Sequence, residues 1–155
     1  MHANARRVVD AAAQAGLEIE VVEYPDGTRT AAEAAAAVDA PVASIVKSLV
    51  FLLDGSPVMA LVAGDNRLDE TRLAEAAGGG EVGRADADVV RDATGYPIGG
   101  VPPFAHRTEL ATFVDEDLLV HDAVWAAAGT PRHVFRLTPD DLVRLSGGTV
   151  ARLAP

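Results

Sequence analysis

The chain has 155 residues, 49% hydrophobic and 23% charged, with a formal net charge of -10 from 13 basic and 23 acidic side chains and no cysteine. These values exclude wholesale disorder, disulfides, thiolate nucleophiles and sulfur-ligated metal centres, and they oppose binding of DNA or RNA through a dense basic surface. The length suits one domain spanning residues 1–155. Aromatic residues make up 5% of the chain, whereas 30 positions are alanine, so the core must be built from Val, Leu, Ile and Ala. Twelve of the 13 cations are arginine, and Lys47 is the single lysine.

In chain order, Arg6 to Ala15 carries Val8, Val9, Ala12 and Ala13 at helical spacing, with Gly16 as the stop. Met1 to Gly16 contains Asp10 and no unbroken apolar segment, which argues against a signal peptide. Ile19 to Tyr24 predicts a strand and Pro25-Asp26-Gly27 a turn. Thr30 and Glu33 form a capping box opening an alanine-rich helix that ends near Val38, before Pro41; this helix reads as core filler. Val46–Leu53 and Pro57–Ala63, joined by Asp54-Gly55-Ser56, predict a hairpin. Ile45 to Leu53, the longest apolar stretch, is too short to span a bilayer, so a cytoplasmic protein without a membrane partner is expected.

Helices are predicted over Asp69–Ala77, with Asp69 as cap and Gly78-Gly79-Gly80 after it, and over Asp86–Ala93, closed by Gly95. Gly95 to His106 is dense in glycine and proline. Ala111–Val114, Leu118–Val120 and Val134–Leu137 predict strands. Thr138-Pro139-Asp140-Asp141 starts a last helix reaching Ser146, and Thr149–Leu153 suits a closing strand. Strands and helices mix without strict βαβ alternation. That favours an α+β fold with a mixed, largely antiparallel sheet flanked by helices.

Two constellations carry candidate chemistry. On the strand from Ile45, alternation puts Lys47 on one face with Ile45, Leu49, Phe51 and Leu53. A strand-end lysine can simply snorkel to water. Yet arginine supplies every other cation here, and a compact ammonium fits a tight pocket that a planar guanidinium does not. The second constellation is Gly99-Gly100, flanked by Pro97, Pro102 and Pro103. Paired glycines let the backbone approach a ligand and direct N–H groups at an oxyanion; the alternative is an ordinary structural loop. No Walker loop, dinucleotide fingerprint or nucleophile elbow occurs, and His2, His106, His121 and His133 lack metal-ligand spacing, so no metal or cofactor is called for. Asp115, Glu116 and Asp117 suit a solvated strand end, although one carboxylate there could hold a loop or a lysine. Trp125 reads as a packing anchor.

Ile45-Val-Lys47-Ser48-Leu-Val-Phe51, Gly95-Tyr-x-x-Gly99-Gly100-Val-x-Pro103, and Gly129-Thr-Pro-Arg132 followed by Pro139-x-Asp141-Leu142 resemble, in order and spacing, the YbaK/prolyl-tRNA synthetase-associated domain family. The resemblance runs from about Leu17 to Leu145. It implies a curved mixed sheet and hydrolysis of mischarged aminoacyl-tRNA, with the tRNA 3′ end and a synthetase as partners. It places the family's essential lysine on Lys47, its neighbouring threonine on Ser48, its loop glycines on Gly99 and Gly100, and a pocket tyrosine on Tyr24. Thr30, Pro103, His106 and Gly129 complete the expected substrate-binding set. Ala105 stands where many members have glycine, and the Gly129 block departs from the Gly-Lys-Arg-Gly form of the Cys-tRNA deacylases. The acidic charge points to a small footprint on the tRNA end, with Arg29, Arg67, Arg107 or Arg132 as local phosphate contacts. The rival from another class is a catalytically silent module of the same fold that binds the tRNA end, a small ligand or a synthetase.

Overall fold

A computed structural model describes residues 1–28 and 30–155; Arg29 lies outside the described residues. Five helices, α1 (Ala3–Gln14), α2 (Ala31–Val38), α3 (Glu70–Ala76), α4 (Ala87–Thr94) and α5 (Pro139–Ser146), accompany eight strands. The strands are β1 (Val21–Glu23), β2 (Val46–Leu53), β3 (Ser56–Ala63), β4 (Val82–Arg84), β5 (Thr112–Asp115), β6 (Val124–Ala127), β7 (His133–Leu137) and β8 (Thr149–Ala151). The expected sheet is divided in two. One has the order β4-β2-β3-β5-β8 and the other β1-β7-β6, and a parallel bridge between Ile45 and Trp125 links them. Pairing is antiparallel except for β3–β5 and β5–β8, so the fold is α+β with mixed sheets.

The caps follow from side-chain chemistry. Thr30 accepts from the Glu33 N–H, Asp69 from Thr71 and Arg72, Asp86 from Val89, and Thr138 from Asp141. Each hydroxyl or carboxylate satisfies orphan donors of a first turn. Helix α1 begins earlier than Arg6 because the His2 ring nitrogen accepts from the Asn4 N–H.

β3 sits inside the larger sheet and is buried on both faces. Met59, Leu61 and Ala63 face a core shared with Val46, Val50, Tyr96, Phe104, Val114 and Phe135. Val58, Ala60 and Val62 face a second core with Leu73, Phe113 and Leu153. A strand buried on both sides reads as a continuous apolar run, as Pro57 to Ala63 does.

Three expectations need correction. Leu118 to Val120 is not a strand: Glu116–Val120 is a 3₁₀ turn, started by the Asp115 side chain accepting from the Asp117 N–H. The short strands β4 and β6 were not predicted. Their sequences, Val-Gly-Arg and Val-Trp-Ala-Ala, are too short to show a period, and pairing alone makes them strands. The terminal strand stops at Ala151, and Leu153 instead packs into the second core.

Candidate active site

β4 pairs with Phe51 to Leu53, which leaves the Val46–Val50 part of β2 without a ladder partner among the described residues on the side away from β3. A cavity of about 650 Å³ runs along this open edge. Its walls are α2, the start of β2, Trp125 to Ala127 of β6, and the loop at Ile98-Gly99. Ala31, Ala34 and Val38 present a stripe at helical spacing to it, and only Ala35 of α2 is buried. The helix is therefore a cavity wall rather than core filler. Trp125 likewise forms wall as well as packing.

Lys47 is half-buried in this cavity, and its ammonium donates to the main-chain oxygen of Asn66. Burial pushes its pKa down, and the charges of Asp65 and Asp115 partly restore it. The neighbouring Ser48 also lines the cavity, and its buried Oγ has no hydrogen-bond partner among the described residues. The cavity reaches two residues on opposite faces of β2 because it wraps the open edge of the strand.

Asp115 is not solvated. It is 1% exposed, and its Oδ2 accepts from the Ala63 N–H at 3.0 Å and from the Asn66 amide at 2.9 Å. Of the two readings the sequence allowed for this acidic run, the structure shows the second: one carboxylate holds a loop.

The glycine loop is bent by Gly99, at φ +87°, which lines the cavity. The Gly99 N–H has no hydrogen-bond partner among the described residues. Gly100 has a different job. Its N–H donates to Pro97 O at 3.0 Å, and a Cβ on it would lie 2.6 Å from Thr130 Cα. Gly100 thus permits close packing of two backbones, and its N–H is not free for a ligand. The loop is anchored behind by Tyr96, whose hydroxyl donates to Ala105 O and whose ring lies under the Arg7 guanidinium.

Of the sequence-derived residues, Lys47, Ser48, Thr30 and Gly99 come together at the cavity. Tyr24, Gly100, Pro103, His106 and Gly129 do not line it. Tyr24 donates its N–H to Arg132 O beside β7. Pro103 is buried in the loop. His106 sits in a separate shallow depression with Glu109 and Ser146, its Nε2 2.6 Å from Pro102 O. Gly129, at φ +94°, packs against the Asn4 backbone, where a Cβ would meet it at 2.9 Å. Thr28, Arg84 and Glu70 line the cavity and were missed. Arg67 was expected and is present, whereas Arg107 and Arg132 are elsewhere. Neither Arg67 nor Arg84 forms an ion pair among the described residues. Among the described residues no group of His, Asp and Glu is arranged to hold a metal ion, and no helix is long and apolar enough to cross a membrane.

Residues 25–145 match the model of the aminoacyl-tRNA editing domain. The chain belongs to the aminoacyl-tRNA editing domain family. Its relatives include the proline–tRNA ligase of Oleidesulfovibrio alaskensis, 32% identical over 83% of this chain and 22% of that protein. Protein YwhH of Bacillus subtilis is 29% identical over 83% of this chain and 82% of that one. This editing domain therefore spans about a fifth of the length of that ligase and most of the length of YwhH. A crystal structure of a candidate trans-editing enzyme for prolyl-tRNA synthetase superposes with a TM-score of 0.94 at 47% identity, covering 100% of this chain and 99% of that one. The editing domain fold and its kinship with prolyl-tRNA synthetase editing are thereby established.

Proposed function

We propose that this editing domain hydrolyses the ester of a mischarged aminoacyl-tRNA in trans. The observation that carries the reading is the single lysine of the chain, half-buried in a mostly apolar cavity and oriented by a backbone carbonyl. With one N–H on Asn66 O, the ammonium keeps two donors for a ligand. Lys47 holds the ester carbonyl or the terminal ribose and phosphate, and the Gly99 N–H on the cavity wall is a free backbone donor for a developing oxyanion. Ser48 Oγ offers a further polar contact within the cavity.

The ester needs no protein nucleophile. Water adds to the carbonyl carbon, the acyl C–O bond to the ribose breaks, and the ribose oxygen leaves with a proton. The products are the free amino acid and a tRNA with its terminal diol restored. A hydroxyl of the substrate's own ribose, adjacent to the ester, can assist the water. The unpaired Arg67 and Arg84 on the cavity wall suit phosphates of the single-stranded tRNA end.

A deacylation assay over a panel of mischarged tRNAs tests the reading. At least one is expected to be hydrolysed, and Lys47→Ala to lower its kcat/KM by about 10²–10³, the cost of removing one oxyanion-site donor. Absence of turnover across the panel, or equal rates for mutant and wild type, would overturn it in favour of a silent binding module.

A further inference from the structure

We propose that Asn66 is a positioning residue: the turn Ala63–Asn66, clamped to Asp115 by the Asn66 side chain, presents the main-chain oxygen that fixes the Lys47 ammonium in the cavity. The inference deepens the deacylase reading and rests on it for its catalytic half.

A lysine carries a flexible stem, and ordering it costs rotamer entropy that a single exposed contact does not offset. Here the acceptor is built into a turn fixed from several directions. The Asn66 N–H closes the turn on Ala63 O at 2.9 Å. Gly64 packs so closely that a Cβ would lie 2.2 Å from Val42 O. The two amide hydrogens of Asn66 Nδ2 are divided between Asp115 Oδ2 at 2.9 Å and Asp117 Oδ2 at 2.7 Å. Asp115 Oδ2 also takes the Ala63 N–H, and its Oδ1 takes the Asp117 N–H at 3.0 Å. Both ends of the turn, and the segment after β5, are thus tied to one buried carboxylate. Among the described residues no cation is hydrogen-bonded to Asp115, and its charge acts on Lys47 through space together with that of Asp65. An asparagine fits this place because it donates twice to two acids and adds no charge of its own. Two carboxylates converging on one amide, whose main chain then receives the only ammonium side chain, is more than turn closure requires.

The single lysine makes the test direct. Protein grown with ¹³Cε-lysine gives one ε-carbon resonance, that of Lys47, whose pH titration reports the ammonium without any substrate. Arg67, Arg84 and Glu70 line the same cavity, Asp65 and Asp115 act on the ammonium through their charges, and Asp117 shares the Asn66 amide. Asn66→Ala, which keeps the main-chain oxygen but frees the turn, is expected to move the resonance and its midpoint. Asp115→Asn is expected to move the midpoint downward, because a charge favouring the ammonium is gone. In the deacylation assay Asn66→Ala is expected to lower kcat about tenfold or more, the effect of a misplaced catalytic group, with KM changed less than about twofold. An unmoved Lys47 resonance in both variants would overturn the positioning role, whether or not the wild type turns over. A moved resonance with unchanged kcat would overturn its catalytic half. If Asp115→Asn does not fold, Asn66→Ala alone decides, since that side chain sits in a part-buried turn.

Discussion

Ala105 adopts φ +67°, in the left-handed region, beside the Tyr96 hydroxyl that donates to its carbonyl. The backbone there has a glycine-like conformation, at the position where the family resemblance leads one to expect glycine. For an alanine that region costs about 1–2 kcal/mol, of which the added chain entropy of glycine takes back about 0.5–1 kcal/mol. Ala105→Gly should thus stabilise by about 0.5–1 kcal/mol and raise the melting temperature by about 1–4 °C in a thermal scan. His106 is a second case. Burial pushes its pKa down, and the hydrogen bond to Pro102 O offsets this only in part. As pH falls below the unfolded value of about 6.5, the unfolded chain takes up the proton first. The folded state is fully favoured above that value and loses stability below it. His106→Gln, with an amide donor in place of the ring N–H, should show a shallower loss between about pH 7 and 5 in urea unfolding at stepped pH. Lys47 drew notice in the sequence as one lysine beside twelve arginines, and its place on an apolar strand made it the candidate that the structure puts at the cavity. Asp115 was not. Its burial depends on the Ala63 N–H and the Asn66 amide, which only the packing of β3 beside β5 brings to it.

Elements with their own local chemistry were readable before the fold was known. The β2–β3 hairpin follows from two apolar runs about Asp54-Gly55, α2, α3 and α5 from their caps, and α4 from the glycine that closes it. Elements defined by a partner were not: β4 and β6 exist through pairing with β2 and β7. The same division explains the site. Alternation placed Lys47 and Ser48 on opposite faces of β2, and only the missing ladder beside Val46–Val50 lets one cavity reach both. It also explains Gly100, which reads as a ligand glycine in sequence but packs on Thr130 in three dimensions. Gly100→Ala should destabilise by about 1–3 kcal/mol through the clash with that backbone, read as a lower urea midpoint. A stability unchanged by the substitution would show that the two loops separate freely.

The net charge of -10 sets the terms for any polyanion. With Lys47, Arg67 and Arg84 gathered on one cavity, the proposed function predicts contact with only a few phosphates at a single-stranded end. The affinity for tRNA should fall only gently with salt. In a filter-binding titration, a log–log slope steeper than about -4, equivalent to six or more single-strand phosphate contacts, would rule out this small footprint. The interrupted edge of β2 has another result for the whole molecule. Bare strand edges recruit the edges of other copies and seed aggregates. Here α2 and Trp125 wall the cavity along the bare segment and stand between it and the edge of another sheet. The domain can therefore keep open backbone beside Lys47 without exposing it to self-association, and filling in the wall, rather than opening it, is the direction in which mutation should be safest for solubility.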